Sequence, residues 1–330
     1  QVITYDYDAN GNLAHVIDTA TGTIAMQYDV LGRMTRIDYP GGPWFTFEYD
    51  DAGRRVKRTG HDGFVLKYAY DVDGRLSTLK DGNDALFITY TYDANGRVSR
   101  EDKGNGTYTA YTYDAAGQIT RLVNYAPDGS IQSYFDYTYD ANGRRTAMGT
   151  TDGTTFYEYD ALGQLTRVLN PDGREQGYAY DPAGNRTQTT NYGVPTAYTT
   201  NNMNQYTTIG GATYQHDADG NMTSKSDASG VTTYTWDAES RLVNLSSPTG
   251  VWNYSYDALG NRIGIVHGNE SIQYVNDRAD LVDIAAEYDG SGKMIARYVN
   301  GSGLVARVDG SNSKSYYSFD AVGSSASVTD

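Results

Sequence analysis

The sequence predicts an all-β protein built as an array of hairpins, and three observations carry that prediction. The 330 residues include 32 tyrosines and 37 glycines, a pairing of strand-favouring aromatic residues with turn formers. A short motif returns at nearly constant spacing: its Tyr-Asp falls at Tyr7, Tyr28, Tyr49, Tyr70, Tyr92 and Tyr113, in steps of 21, 21, 21, 22 and 21. No segment sustains helical apolar spacing for two or three turns without a glycine. "DRADLVDIAAEYD" at 277–289 is the nearest approach, and it ends in a copy of the motif.

Each unit divides into two strands and two turns. The first strand is an aromatic alternation such as "FEYD" or "YTYD", and the second reads like "RMTRIDY". About 21 residues less two turns leaves two strands of roughly 5 to 6 residues each. The first turn is the motif itself, "YDVLGRM" at 28–34, "YDVDGRL" at 70–76 and "YDANGRV" at 92–98. In these three copies Tyr28, Tyr70 and Tyr92 offer a ring for stacking on the next unit. Asp29, Asp71 and Asp93 can accept bonds from backbone N–H groups two residues on. Gly32, Gly74 and Gly96 can take positive φ, and Arg33, Arg75 and Arg97 close the motif. The second turn is often Asp-Gly, as at Asp62-Gly63, Asp128-Gly129, Asp152-Gly153 and Asp172-Gly173.

The apolar residues after the motif sit three apart, as in Met34 and Ile37 or Leu76 and Leu79. In a regular strand that spacing points them to opposite faces, so either both faces are partly covered or a bulge intervenes. The motif continues through Tyr139, Tyr159, Tyr180 and Tyr256. Altered copies stand at His216, Trp236, Tyr288 and Phe319. It is weakest over 187–214, where "TNNMNQY" keeps only the character of a turn. The expected organisation is a repeat array over 1–266, irregular at 187–214, followed by a distinct C-terminal repeat region over 267–330.

Composition removes several functions. With 26 basic and 41 acidic residues the net charge is −15, which gives no electrostatic grip on nucleic acid or an anionic membrane. No stretch approaches the roughly 18 apolar residues of a membrane span, and "QVITYDYDAN" lacks the regions of a signal peptide. The chain begins without Met and reads as a piece of something longer. Zero cysteines exclude disulfides and thiol chemistry.

Sites for chemistry are sparse. Acidic pairs such as Asp6 and Asp8, or Asp71 and Asp73, have the residue type for acid/base work, but the repeat places such pairs everywhere. Asp6, Asp8, Asn10 and Gly11 match the opening of a calcium loop, whereas the position for a bidentate Glu holds Ile17. His15, His61, His216 and His267 show no metal-ligand spacing. The expectation is no catalytic residue, no metal and no cofactor.

The "YDxxGRL" units at about 21 residues resemble the YD repeats, also called RHS repeats, of bacterial Rhs proteins, wall-associated repeat proteins, insecticidal toxin complex C components and teneurins. The run "AEYDGSGKMIARYVNGSGLVARVDG" followed by "YYSFDAVGSSASVTD" resembles the end of the bacterial Rhs core, where such a segment closes a shell. The resemblance implies a continuous β-sheet spiral forming part of a hollow cocoon, which holds a C-terminal toxin apart from its producer. It implies a secreted or cell-surface bacterial protein. Expected partners are the enclosed toxin domain, further repeats of the same polypeptide, or other copies joined end to end. The "DPxGL" segment that severs the toxin in such proteins is absent; "DPAGN" at 181–185 falls on the repeat period and lacks the Leu. The rival expectation is a surface-binding module, with Trp44, Trp236, Trp252 and exposed tyrosines engaging carbohydrate or a cell-surface protein.

Overall fold

The computed structural model describes residues 2–279 and 283–330. Among them the regular structure is thirty-two β-strands and no helix, from Ile3–Tyr7 to Ser325–Thr329. Each strand pairs antiparallel with the next in sequence, so the chain is one long meander. The all-β expectation holds. The apolar stretch at 277–289 is strand at both ends: Asp277 closes Glu270–Asp277, and Asp283–Asp289 follows; the residues between them include three outside the described set.

The motif turns share one geometry. In the second unit Gly32 N–H donates to the Asp29 carbonyl at 3.0 Å and Asp29 N–H to the Arg33 carbonyl at 2.9 Å. This is a tight turn closed by a residue in the left-handed region, and Gly32 has φ +76°. Where the sequence lacks the glycine the conformation is kept, by Asn204 and by Ser240, both at φ +58°. The stretch 187–214 therefore continues the ladder through Arg186–Asn191, Val194–Thr200, Tyr206–Ile209 and Ala212–His216.

A bulge follows every such turn and explains the three-residue apolar spacing. Met26 pairs with Ile37 and Gln27 with Arg36, but Tyr28 pairs with Met34, which leaves Thr35 as an extra residue. Met34 and Ile37 consequently share a face. The same shift separates Ala69 from Tyr70, so that Tyr70 pairs with Leu76 while Tyr68 pairs with Leu79. Thr35 turns its hydroxyl back to the Gln27 carbonyl at 3.3 Å, and Thr166 does the same to Glu158 at 3.2 Å.

The core forms where the end of the meander packs against its beginning. One cluster joins Val16, Ile24, Ile37, Phe45 and Phe47 to Val275, Ala285, Ala286 and Tyr288. A second joins Leu66, Leu79, Phe87 and Ile88 to Val299, Val305, Ala306 and Val308. Contact is close enough that a Cβ on Gly301 would collide with the Tyr90 hydroxyl. Between residues 153 and 256 the buried hydrophobics are only Val168 and Ala212.

Candidate functional site: the repeat junction and the seam

The recurrent geometry of the motif lies at the junction between successive units. Asp29 Oδ1 accepts from the N–H groups of Leu31 and Arg33, both at 2.9 Å, while its Oδ2 accepts from Arg33 Nε at 2.6 Å. Asp71 and Asp93 repeat these bonds with Arg75 and Arg97, at 2.7 Å to the guanidinium. Bonds from the Arg97 side chain and backbone hold the Asp93 carboxyl below the usual carboxylate range. The arginine then reaches forward. Arg33 lies 5.0 Å over the Tyr49 ring, Arg75 4.4 Å over Tyr92 and Arg97 4.3 Å over Tyr113.

The tyrosine reaches backward. Tyr28 donates its hydroxyl to the Leu13 carbonyl at 3.0 Å, Tyr70 to Arg55 at 2.8 Å and Tyr92 to Leu76 at 2.7 Å. The accepting residue is the first of its strand, beyond the end of the ladder to the tyrosine's own strand, so a side chain satisfies the carbonyl. Where the motif carries the arginine, as at Arg33, Arg75 and Arg97, arginine forward and tyrosine backward couple the unit to both neighbours. The forward reach of the arginine carries no sequence signal beyond its recurrence.

The seam between the first and last strands holds a different chemistry. Asp277, 5 % exposed, receives Arg55 at 2.8 Å and Arg58 at 2.9 Å. Burial would raise its pKa, yet the charges of Arg58 and Arg55 outweigh that and hold it below the ordinary value. Arg297 meets Asp62 at 2.6 Å and Lys314 meets Asp81 at 3.0 Å. Backbone N–H groups of Ser302 and Ala321 donate to the hydroxyls of Tyr90 and Tyr137 at 3.0 and 3.1 Å. Sequence reading misses all of these pairs because the partners lie some 180 to 235 residues apart.

The remaining candidates are accounted for by local contacts. Asp8 Oδ1 accepts from the N–H groups of Asn10 and Asn12, and its Oδ2 from the Asn12 amide. Groups of three or more potential metal ligands are absent among the described residues. Trp236 stands in for the motif tyrosine and donates Nε1–H to the Met222 carbonyl at 2.8 Å. Trp252 stacks on His267 with centroids 4.1 Å apart, and Trp44 carries Arg36 at 4.6 Å. His61 lies 3.4 Å from the Tyr288 hydroxyl. No helix among the described residues is long and apolar enough to cross a membrane.

A meander of arginine- and tyrosine-coupled hairpins whose end packs on its beginning defines a repeat-built shell wall. The chain belongs to the Teneurin YD-shell family, whose model matches residues 1–111 and 145–330; an RHS Repeat model matches 92–131. It is similar to the "Probable deoxyribonuclease RhsB" of Dickeya dadantii (strain 3937), 35 % identical over 82 residues, which are 23 % of this chain and 5 % of that protein. The crystal structure of TcdB2-TccC3 without its hypervariable C-terminal region covers 99 % of this chain with a TM-score of 0.64 at 15 % identity. That of TcdB2-TccC3-TEV covers the same share with a TM-score of 0.62 at 14 % identity. The chain spans 22 % of each of those structures.

Proposed function

We propose that this chain is wall from an Rhs-type shell that encloses a toxin or effector domain until delivery, and that it turns over no substrate itself. The observation that carries the reading is the seam. Two apolar clusters and buried ion pairs fasten the last strands onto the first, so the sheet is rolled up rather than left open. Similarity to toxin-complex and Rhs proteins supports the same role. A secreted or cell-surface location in a bacterium follows from it. The surface-binding alternative loses its main support, because each of its three tryptophans already serves a neighbour within the wall.

The test uses the full natural polypeptide that carries this segment. Limited proteolysis should leave an enclosed domain intact while the seam is closed, and Arg58→Glu, which sets two carboxylates against each other, should expose it. Equal cleavage of the enclosed domain in both proteins would refute the container. Retention of glycan by the isolated segment would put the binding module in its place.

A further inference from the structure

Beside the seam lies a cavity of about 390 Å³, a size suited to a small molecule. Its walls come from both layers. Tyr90, Tyr111, Tyr317 and Phe319 supply rings, and Glu101 and Lys103 supply opposite charges. Both charged residues sit on the Val98–Lys103 strand two positions apart, so they share a face about 6.6 Å from Cα to Cα.

Lys103 is 4 % exposed, and its ammonium donates to Thr109 Oγ1 at 3.1 Å and to Ser318 Oγ at 2.8 Å. An ammonium has three donors, so one is left over, and the opposite charge that acts on it is Glu101. Burial pushes the Glu101 carboxyl up, against the Lys103 charge and the Tyr111 hydroxyl; burial also pulls Lys103 down. The two charges attract each other without forming a direct ion pair, so part of their desolvation cost is unmet, and a ligand carrying the complementary pair would meet it. A neutral sugar would stack on the rings and bring no charge to either group.

The geometry points to a binding site for a free α-amino acid with a large apolar side chain, its carboxylate on Lys103, its ammonium on Glu101 and its side chain among the tyrosines. This goes beyond the shell reading and does not depend on what the shell encloses. The experiment is calorimetric or saturation-transfer titration of the purified chain at neutral pH with L-phenylalanine, phenethylamine, 3-phenylpropionate and glucose. L-Phenylalanine should bind saturably. The amine and the acid, each lacking one charge contact, should bind at least about tenfold more weakly.

Glu101→Gln should weaken the amino acid and the amine by about tenfold but spare the acid, a split that a merely structural carboxyl would not produce. Because Lys103→Met removes a seam bond as well, Leu304→Trp, which fills the cavity from the other wall, serves as the second variant and should abolish binding with the melting temperature kept. Absence of saturable L-phenylalanine binding at about 10 mM, far weaker than the ~1 mM at which even about −4 kcal/mol of affinity registers, would overturn the site. So would equal affinity for all three phenyl compounds, preference for glucose, or unchanged binding in the Leu304→Trp protein.

Discussion

The first units and the middle units of this wall carry the same motif but differ in depth. Two residues before the motif tyrosine, the second to fifth units place Met26, Phe47, Tyr68 and Tyr90, all buried. The middle units place Tyr157, Tyr178, Tyr234 and Tyr254 at the same position, all half-buried. The tyrosine bond at the junction is the same in both: Tyr256 donates to Leu242 at 2.9 Å much as Tyr70 does to Arg55. The motif therefore makes the ladder, and the overlap makes the core. A repeat unit settles its own turn and its neighbours' register, whereas full burial needs a second layer that only the returning end of the chain provides.

The largest effect should come from the seam. Asp277→Ala leaves Arg58 buried without its carboxylate and should cost about 3–5 kcal/mol. Asp237→Ala in a middle turn, a partly exposed carboxylate, should cost about 1 kcal/mol. Hydrogen exchange resolved by segment would check it, with protection lost over 270–330 and the first strands in the former variant. A uniform loss along the array would erase the distinction drawn here.

Next comes the core itself. Leu79→Ala, at a site with no exposure, should cost about 2–5 kcal/mol, and Leu245→Ala, half-buried at the same register, about 1 kcal/mol. Denaturant midpoints of the two variants measured side by side give the comparison. Equal costs would mean the middle units are covered in solution.

Acid should act on the seam. Asp277 has its folded pKa depressed below the unfolded value near 3.9, so its contribution is fully present above that value and is lost as pH falls through the folded pKa. Accordingly, a pH titration of protease resistance should show the seam opening below about pH 4 while the middle ladder persists. Asp277→Asn should remove that step; a step that survives the substitution belongs to another carboxylate.

The smallest effects sharpen the claim that the motif turn is the same throughout. Gly74→Val forces a β-branched residue to φ +82° and should destabilise by about 1–3 kcal/mol. Ser240→Gly, at φ +58°, should stabilise by up to about 1 kcal/mol. Thermal melts would decide both, and opposite signs at these two positions are the expected outcome.

By itself the sequence determined the hairpins, their turns and the family. The reason is that these features are local: a left-handed residue at Gly32 or Gly74, an aspartate two and four residues before the amides it caps, and a period of 21 that brings equivalent side chains side by side. It left the bulge open as one of two explanations for the spacing of Met34 and Ile37, and the pairing of Tyr28 with Met34 decided it. Over 187–214, where the letters of the motif fade, asparagine at 204 holds the same backbone conformation as glycine without showing the same letter. Only the tertiary structure decided which units are buried, that Asp277 answers Arg55 and Arg58, and that Glu101 and Lys103 border a cavity. The bonds from Arg55 and Arg58 to Asp277 span 222 and 219 residues, and nothing in a 21-residue period says how far the sheet curls before its end meets its beginning.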